Sequence, residues 1–368
     1  MSDYMNRLIE LAIQIQQIPA PTFNEIQRAE FVCSLFTSEA SEGVKDVFID
    51  KTGNVSARLE SKGTAIPLII SAHMDTVFPL DTDLSVTRGL ELIRGPGIGD
   101  NSLGVAALFG LIWMLRERNI QLGGDVWFVA NVCEEGLGNL RGMKAVVDRF
   151  GADVHAYLIL EGLALGHVYH RAVGVSRYRV TARTSGGHSW SDYGQPSAIH
   201  ELSKLVVELA SLDLPNHPRT TMNVGKIAGG TSVNVIASEA SFDLDLRSEE
   251  QESLAQLVSV TEKLIHNANR QGVGIEAQVI GQRPVGEMSA SHPLVKLAEQ
   301  CLHEQGLEAG LISGSTDANV PLSKGYPAIV LGVTTGGSAH TVHEYINTAP
   351  ITQGMEQLVR FVEKVWSN

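Results

Sequence analysis

Cysteine is scarce in this chain of 368 residues, which contains only Cys33, Cys133 and Cys301. The three are an odd number, lie far apart, and form no Cys-x-x-Cys pair. This usage excludes a disulfide framework and a thiolate-bound zinc cluster. Any metal ion must therefore be held by histidine and carboxylate side chains.

Basic charge is also in short supply, with 28 Lys and Arg against 41 Asp and Glu and a formal net charge of -13. Because no run of Lys or Arg forms a stripe, we expect neither nucleic acid nor a membrane surface as a partner. No apolar run reaches the length of a membrane span. The N-terminal residues predict an amphipathic helix instead of a secretory signal, so we expect a cytoplasmic protein.

The chain is long enough for two hydrophobic cores, since 43% of its residues are hydrophobic. Alternating strand and helix patterns predict an α/β fold with a mainly parallel sheet and helices on both faces. Thr22 is the candidate N-cap of the second helix. The predicted elements of this part are helices 3–18, 24–38, 103–117 and 140–150 and strands 44–49, 55–59, 66–70, 125–132 and 156–160.

The pattern changes near residue 172 and resumes near residue 286. The segment between has the order βαββαβ, which is typical of a ferredoxin-like domain. We therefore predict one α/β domain formed by residues 1–171 and 286–368, with an inserted domain at 172–285. Later elements are predicted as follows: strands 176–184, 220–227, 240–248, 274–280 and 328–333, and helices 197–212, 249–271, 293–305 and 350–366.

His73 and Asp75 follow an apolar, β-branched strand at residues 66–70. Side chains at i and i+2 share a face of a strand, so both can meet just past its carboxyl end. Open α/β sheets bind their ligands at that edge. The pair alone is explained more simply by a buried histidine hydrogen-bonded to an aspartate.

Four more carboxylates stand where other predicted elements meet polar loops. Asp100 lies in a glycine-rich loop before an apolar helix, where an isolated aspartate is usually a helix cap. Glu134 and Glu135 follow one apolar strand, and Glu161 follows another. A surface pair is the alternative for the two adjacent glutamates, but neighbouring carboxylates at an apolar strand end are costly without a cation.

Combined with two histidines, these carboxylates predict a metal centre. Imidazole and carboxylate oxygen are ordinary zinc ligands, and the set suits two zinc ions bridged by a carboxylate and a water. Asp75 would then hydrogen-bond a ligand histidine and fix its tautomer. The candidate ligands are His73, Asp100, Glu135, Glu161 and His340, with Glu134 beside them.

The chain resembles the co-catalytic dizinc exopeptidase and deacylase family, which includes peptidase T, glutamate carboxypeptidase, aminoacylase, acetylornithine deacetylase and succinyl-diaminopimelate desuccinylase. The motifs that carry the likeness are His73-x-Asp75, Gly99-Asp100-Asn101, Glu134-Glu135-Gly136, Glu161 and His340-x-x-x-Glu344. The resemblance covers the whole chain and implies a zinc-exopeptidase-like fold.

The resemblance also implies a role for each candidate. The implied assignment places His73 and Glu161 on one zinc, Glu135 and His340 on the other, Asp100 between them, and Glu134 as the general base. His343 is the fallback for His340, which is preferred because the family's histidine stands four residues before a glutamate.

Within the insertion, Gly186-Gly187-His188-Ser189 is similar to the family's glycine–histidine segment. That histidine assists at the scissile carbonyl, often from the partner subunit of a dimer. We therefore expect residues 172–285 to be a lid and dimerisation domain through which a homodimer forms, and residues 1–171 with 286–368 to be the catalytic, metal-binding domain. On the residues alone, His188 is as readily a turn histidine.

Three further residues are candidates for substrate binding. The segment 229–236, which contains Asn234, and the later Arg247 resemble the region whose Asn and Arg contact the substrate. Arg247 is otherwise explained as an ion pair on a solvated strand face. Thr316 is the third candidate.

The expected activity is hydrolysis of the amide bond of di- or tripeptides, or of N-acyl amino acids, by a metal-bound hydroxide. Two zinc ions, replaceable by cobalt or manganese, would serve it. In the resembled family the residue at the position of Glu161 is Glu in carboxypeptidase-like and deacylase members and more often Asp in aminopeptidases, so Glu161 favours the first group. The expected enzyme is carboxypeptidase-like, with an aminopeptidase of the peptidase T sort or a deacylase of the acetylornithine or desuccinylase sort as the alternative. A non-catalytic binding scaffold is the remote alternative, against which an intact Glu134 argues.

Overall fold

The computed structural model describes residues 3–39 and 43–367. The chain divides into two compact units, which we call the first unit, Met1–Ala172 with Gly286–Asn368, and the second unit, Val173–Val285. The catalytic role of the first and the lid and dimerisation role of the second stay predictions.

The helices in the described residues follow the predicted spacing closely, and only α8 was not predicted. They are α1 Asp3–Gln16, α2 Ile26–Ser38, α3 Gly104–Glu117, α4 Arg141–Phe150, α5 Ala198–Ala210, α6 Gln251–Asn267, α7 Pro293–His303, α8 Asn319–Ser323 and α9 Ile351–Lys364. The predicted cap of the second helix is wrong, because α2 begins after Glu25 and the Thr22 hydroxyl donates to Asp75 instead.

The strands include several short pairings that the apolar pattern did not predict, and β8 is the longest strand missed. The first nine are β1 Val44–Ile49, β2 Val55–Leu59, β3 Ala65–His73, β4 Thr87–Arg88, β5 Leu92–Arg94, β6 Gly124–Asn131, β7 Ala156–Glu161, β8 His167–Ala172 and β9 Gly174–Thr184. The others are β10 Gly187–His188, β11 Thr220–Gly229, β12 Val235–Ile236, β13 Glu239–Ser248, β14 Val273–Arg283, β15 Gly286–Glu287, β16 Gly310–Gly314, β17 Ala328–Gly332, β18 Gly336–Gly337 and β19 Tyr345–Asn347.

The large sheet of the first unit has the order β1-β2-β6-β3-β7-β17-β8-β15, with β16 also paired to β8. Its central strands β6, β3, β7 and β17 run parallel, and antiparallel strands flank them on both sides. Since β3 lies between β6 and β7, the carboxyl ends of these three strands meet at one edge of the sheet. The predicted α/β fold class with a mainly parallel sheet is confirmed.

Helix α3 packs against β3 and belongs to the core of the first unit. Together with the turn before it, the segment Ile98–Glu117 is long and apolar enough to cross a membrane, so the expectation that no segment reaches that length is wrong. Its apolar window is 94% buried within the protein, as in the core helix of a globular domain.

The second unit contains a four-stranded antiparallel sheet of order β11-β13-β9-β14, with α5 and α6 packed against its strands. Strand β13 buries Phe242 and Leu244 in the core, while Asp243 and Asp245, on its other face, pair with arginines of β9. This period-2 alternation explains why the strands could be predicted. The chain order βαββαβ is the ferredoxin-like one.

Candidate metal centre

The central strands of the first unit carry three of the predicted ligands to one edge of the sheet. His73 is the last residue of β3, and Glu161 is the last residue of β7. Strand β6 ends at Asn131, which pairs with His73, and the chain continues to Glu134 and Glu135. The parallel pairing therefore brings together carboxylates and an imidazole that are far apart in sequence.

Asp100 lies in the turn Ile98–Leu103 that precedes α3, and its peptide bond to Asn101 is cis. Glu344, which is fully buried, holds this turn through its carboxylate. The carboxylate accepts the backbone N–H groups of Gly97 at 3.2 Å, Gly99 at 2.7 Å and Asp100 at 2.8 Å. Gly97 has φ +70°, a conformation that favours glycine.

The two carboxylate oxygens of Asp100 face two different histidines. Its Oδ1 lies 3.1 Å from His73 Nε2, and its Oδ2 lies 3.1 Å from His340 Nε2. Glu161 Oε2 is 3.8 Å from His73 Nε2, and Glu135 Oε1 is 3.0 Å from His340 Nε2. Asp100 is therefore shared by two groups of ligand atoms, each with one histidine and one glutamate.

Each of these groups is compact enough to hold one metal ion. The ligand atoms of His73, Asp100 and Glu161 lie within 4.8 Å of one another, and so do those of Asp100, Glu135 and His340. The ligand atoms of His73, Glu134 and Glu135 meet the same limit. The structure thus brings together all five predicted ligands, with Glu134 beside them.

His340, and not His343, approaches the carboxylates. His340 adopts φ +64°, a left-handed conformation uncommon for residues other than glycine. The exposed His343 belongs to none of the ligand groups found within residues 3–39 and 43–367. The geometry therefore favours His340 over His343 as the ligand.

The electrostatics of the cluster favour positive charge at its centre. Burial by itself lowers the pKa of His73, but the carboxylates of Asp100, Asp75 and Glu161 outweigh burial and raise that pKa well above its ordinary value. Hydrogen bonds with Asp100 and Glu135 raise the pKa of His340 to about 10. Burial raises the pKa of Glu161. The carboxylates therefore stabilise the positive charge of two protonated imidazoles. The same oxygen and nitrogen donors, with the same negative charge, suit divalent cations.

Asp75 does not make the hydrogen bond predicted for its carboxylate. The His73 Nδ1 atom lies 3.0 Å from the backbone oxygen of Asp75 and 3.6 Å from its Oδ1. The Asp75 carboxylate instead accepts the N–H groups of Glu134 and Glu135, each at 2.9 Å. The tautomer of His73 is still fixed, since donation from Nδ1 leaves Nε2 free to be a ligand.

Two buried contacts of the centre escaped the sequence analysis. Asn101 donates to the Leu160 carbonyl at 2.8 Å and accepts the Gly162 N–H at 2.9 Å, which ties the Asp100 turn to the end of β7. Asp317 is fully buried and accepts a hydrogen bond from Asn131 at 2.7 Å. Neither has a local sequence signal, because both contacts join residues about 60 or more positions apart.

The other predicted site residues lie elsewhere. Half-buried Thr316 precedes Asp317 in the first unit, and its Oγ1 accepts the Ala318 N–H at 3.2 Å. In the second unit, exposed His188 and Asn234 lie on two segments joined by the β10–β12 ladder, where Ser189 N–H donates to the Asn234 carbonyl at 3.0 Å. Their functional roles stay predictions.

Arg247, on β13 of the second unit, forms an ion pair with Asp245 at 2.6 Å and keeps 42% of its side chain exposed. This is the structural role foreseen as the alternative.

A mixed α/β sheet whose carboxyl edge carries two histidine–carboxylate groups with one shared aspartate defines a metal-dependent hydrolase. The chain belongs to peptidase family M20/M25/M40, whose family model matches residues 69–364. The resemblance noted in the sequence is thereby confirmed, and so is the assignment as an enzyme.

Similar proteins cover nearly the whole chain at low identity. The uncharacterized protein YqjE of Bacillus subtilis is 26% identical in an alignment of 372 positions that covers 98% of this chain and 96% of YqjE. A putative succinyl-diaminopimelate desuccinylase, DapE, of Mycobacterium tuberculosis is 25% identical in an alignment of 374 positions that covers 98% of this chain and 99% of DapE. The crystal structure of aminopeptidase PepT from Bacillus cereus shares the fold, with a TM-score of 0.78, 24% identity and coverage of 98% and 99%.

Proposed function

We propose that this protein hydrolyses the amide bond of di- or tripeptides or of N-acyl amino acids at a centre that binds two divalent cations. The observation that carries the proposal is the position of Asp100, with one oxygen 3.1 Å from His73 and the other 3.1 Å from His340. A single carboxylate between two histidine–glutamate groups suits a pair of ions that share a ligand.

The ligands divide between the two ions according to these distances. His73 and Glu161 would hold one ion, His340 and Glu135 would hold the other, and Asp100 would bridge them. Zinc is the metal we propose, because imidazole nitrogen and carboxylate oxygen are its usual ligands outside thiolate sites. Cobalt or manganese should substitute for it, since both accept the same donors.

When bound, the two cations would polarise the scissile carbonyl and lower the pKa of the attacking water. The chain itself supplies the proton transfer through Glu134, which groups with His73 and Glu135 within 4.8 Å. Its carboxylate accepts the proton released by the water and returns it to the nitrogen of the leaving amine. The hydrogen bond from the Glu134 N–H to Asp75 holds the backbone of this residue in place.

His188 is proposed to donate a hydrogen bond to the carbonyl oxygen as negative charge develops there. Its Nδ1 accepts the N–H groups of Trp190 at 3.2 Å and Ser191 at 3.3 Å. An accepting Nδ1 places the ring proton of the neutral imidazole on Nε2, which suits that nitrogen to donate to an oxyanion.

The other proposals concern assembly and substrate contacts. We propose a homodimer through the second unit, because β11 and β14 lie at the two edges of its sheet and an edge strand can pair with a second copy of the chain. Asn234, Arg247 and Thr316 are the proposed substrate contacts. A cytoplasmic location is part of the same proposal.

Glu161 favours an enzyme of the carboxypeptidase-like kind over an aminopeptidase, because aminopeptidases of the resembled family more often have Asp at this position. Two alternatives are kept: an aminopeptidase, which is the activity of PepT, a protein with the same fold, and a deacylase, which the likeness to the putative desuccinylase DapE favours.

A substrate panel on metal-loaded protein tests the function. The protein is stripped with chelator, reloaded with zinc, cobalt or manganese, and assayed on dipeptides, tripeptides, their C-terminal amides, and N-acetyl and N-succinyl amino acids. The matched variant is Glu134→Gln, which keeps every proposed ligand. We expect it to bind the same metal as the wild type with kcat lower by roughly 10²–10⁴. No hydrolysis of any substrate by the loaded wild type, or a near-normal kcat for Glu134→Gln, would contradict the proposal.

A further inference from the structure

The turn that carries Glu134 and Glu135 begins with an unusual backbone conformation. Cys133, two residues beyond the end of β6, has φ +58°, in the left-handed region that favours glycine. Its side chain is fully buried. A residue with a Cβ pays about 1–2 kcal/mol to remain in this region, so neighbouring groups must hold it there.

Two buried carboxylates take up the backbone N–H groups of this turn. Asp75 accepts those of Glu134 and Glu135. Glu25 Oε1 accepts the N–H of Cys133 at 3.1 Å and also contacts its Sγ at 3.3 Å. Three consecutive N–H groups are therefore held by two buried carboxylates, one of which, Glu25, directly precedes α2.

Glu25 stands at the usual place of a helix cap without acting as one. It precedes α2, yet its carboxylate makes no cap hydrogen bond to the described first turn of that helix. The other N–H bonded to its Oε1 belongs to Phe23, at 3.0 Å. Glu25 is only 5% exposed, so its burial is explained by the contact with Cys133, which lies 108 residues away.

Arg28, one turn later on α2, is a buried residue that binds the α1–α2 connection to the segment after β3. It is 1% exposed, and its guanidinium donates to the carbonyl of Ile18 at 3.0 Å and to that of Met74, between His73 and Asp75, at 2.6 Å. Burial lowers the pKa of Arg28 to about 10, opposed by the charges of Asp75 and Glu25. The β-bridge between Pro21 and Thr76 adds a further link.

We propose that Glu25 is a positioning residue of the metal centre: by binding the Cys133 N–H it fixes the left-handed turn that directs Glu134 and Glu135 toward the other ligands. This inference rests on the proposed function, in which Glu134 moves the proton and Glu135 holds a cation. Glu25 itself touches neither substrate nor metal.

The competing explanation is that Glu25 only compensates the buried charge of Arg28. Two substitutions separate the explanations. Glu25→Gln keeps the reach and an accepting Oε1 but removes the charge, whereas Glu25→Asp keeps the charge but draws the oxygen back by one methylene. If position matters, Glu25→Asp lowers kcat by about 10–100-fold, the scale of a displacement near 1 Å, with little change in KM, while Glu25→Gln stays near the wild type. The reverse order would overturn the proposal.

Glycine at position 133 provides a rescue test. Glycine adopts φ +58° freely and alanine does not, although both remove the thiol. We expect Glu25→Asp/Cys133→Gly to recover most of the lost kcat and Glu25→Asp/Cys133→Ala to recover none. Equal recovery by the two double variants would overturn the proposal, because the recovery would then come from removal of the thiol and not from relief of the left-handed backbone at position 133.

Binding of Co²⁺, followed by its visible absorption, gives a readout that does not depend on activity. We expect Glu25→Asp to alter the spectrum or weaken the affinity of the ion held by Glu135, with restoration by glycine at position 133. If the wild type hydrolyses no substrate, the proposed function fails while this titration still decides the role of Glu25. A Glu25→Asp protein with wild-type Co²⁺ binding would then overturn the inference.

Discussion

Substitution of Glu344 should disturb both halves of the metal centre at once, although this residue is not a proposed ligand. Its carboxylate receives three backbone N–H groups, and the last of them belongs to Asp100. Alanine at position 344 would leave all three donors without their acceptor in a buried turn. The Asp100 carboxylate would then lose the fixed backbone from which it reaches His73 and His340.

The size of the effect follows from the hydrogen bonds. An unmade buried donor costs about 1–3 kcal/mol, so three donors give an upper range of about 3–9 kcal/mol, and partial solvation of the opened turn should leave about 3–5 kcal/mol for Glu344→Ala. Glu344→Gln should cost only about 1 kcal/mol, because its Oε1 can still accept the Gly99 and Asp100 N–H groups. The loss is further offset because burial, which raises the pKa of Glu344 to about 7, disfavours a charge at this position.

Two measurements test this expectation. Urea unfolding of the metal-free protein reports the stability difference, and equilibrium dialysis against Zn²⁺ or Co²⁺ reports how many ions bind and how tightly. We expect Glu344→Ala to lower the affinity for both ions and Glu344→Gln to change the affinity for either ion only slightly. His343→Ala, a change at the exposed neighbouring residue, is the matched control and should leave both measurements unchanged. Wild-type affinity for two ions in Glu344→Ala would refute the reasoning.

Three further predictions address other parts of the molecule. Asp100→Ala should abolish or severely weaken the binding of both ions together, because one carboxylate serves both ligand groups. Dialysis that shows one ion still tightly bound would contradict the proposal that Asp100 is shared. The Arg270 hydrogen bond lowers the pKa of Glu201 from 4.5 to about 2, so the stabilisation is complete above pH 4.5 and is lost as the pH falls toward 2. Because 51% of the Arg270 side chain is exposed, solvent screens the pair, and Glu201→Gln should cost about 1 kcal/mol in urea unfolding at pH 6, with the gap to the wild type narrowing below pH 4.5. Arg247→Lys should raise KM for peptides with a free C-terminal carboxylate, and equal wild-type turnover of free and amidated peptides would leave Arg247 with only its ion pair to Asp245.

The ligands could be predicted because strand periodicity carries them. His73 and Glu161 end parallel strands, and the rule that such strands meet at their carboxyl edge places both at one site without knowledge of the contacts. The resemblance also favoured His340 over His343, because the family's histidine stands four residues before a glutamate. The fold class followed from the same periodicities, since the strands of the second unit alternate and those at the centre of the first are continuously apolar.

The surroundings of the ligands could not be predicted, because they depend on contacts between distant segments. Thr22 has the chemistry of a helix cap, but its hydroxyl donates to Asp75, 53 residues away. Glu25 likewise sits where a cap is expected and binds Cys133 instead. Strand β8 was missed because His167, His170 and Arg171 break the apolar pattern, although the sheet buries His170.

The junction between the two units has a consequence for engineering. The chain leaves the first unit at Ala172 and returns at Gly286, and these two residues are directly paired in the antiparallel ladder of β8 and β15. Residues paired in this way lie about 4.5–5.5 Å apart, a gap that a two-residue hairpin turn spans. The two ends of the 113-residue second unit therefore join the first unit at one point. Excising the second unit and joining Ala172 to Gly286 through an Asn-Gly turn would leave the chain path of the first unit intact. Metal binding by the first unit could then be measured without any contribution from the second unit. The same junction would accept a foreign domain in place of the second unit.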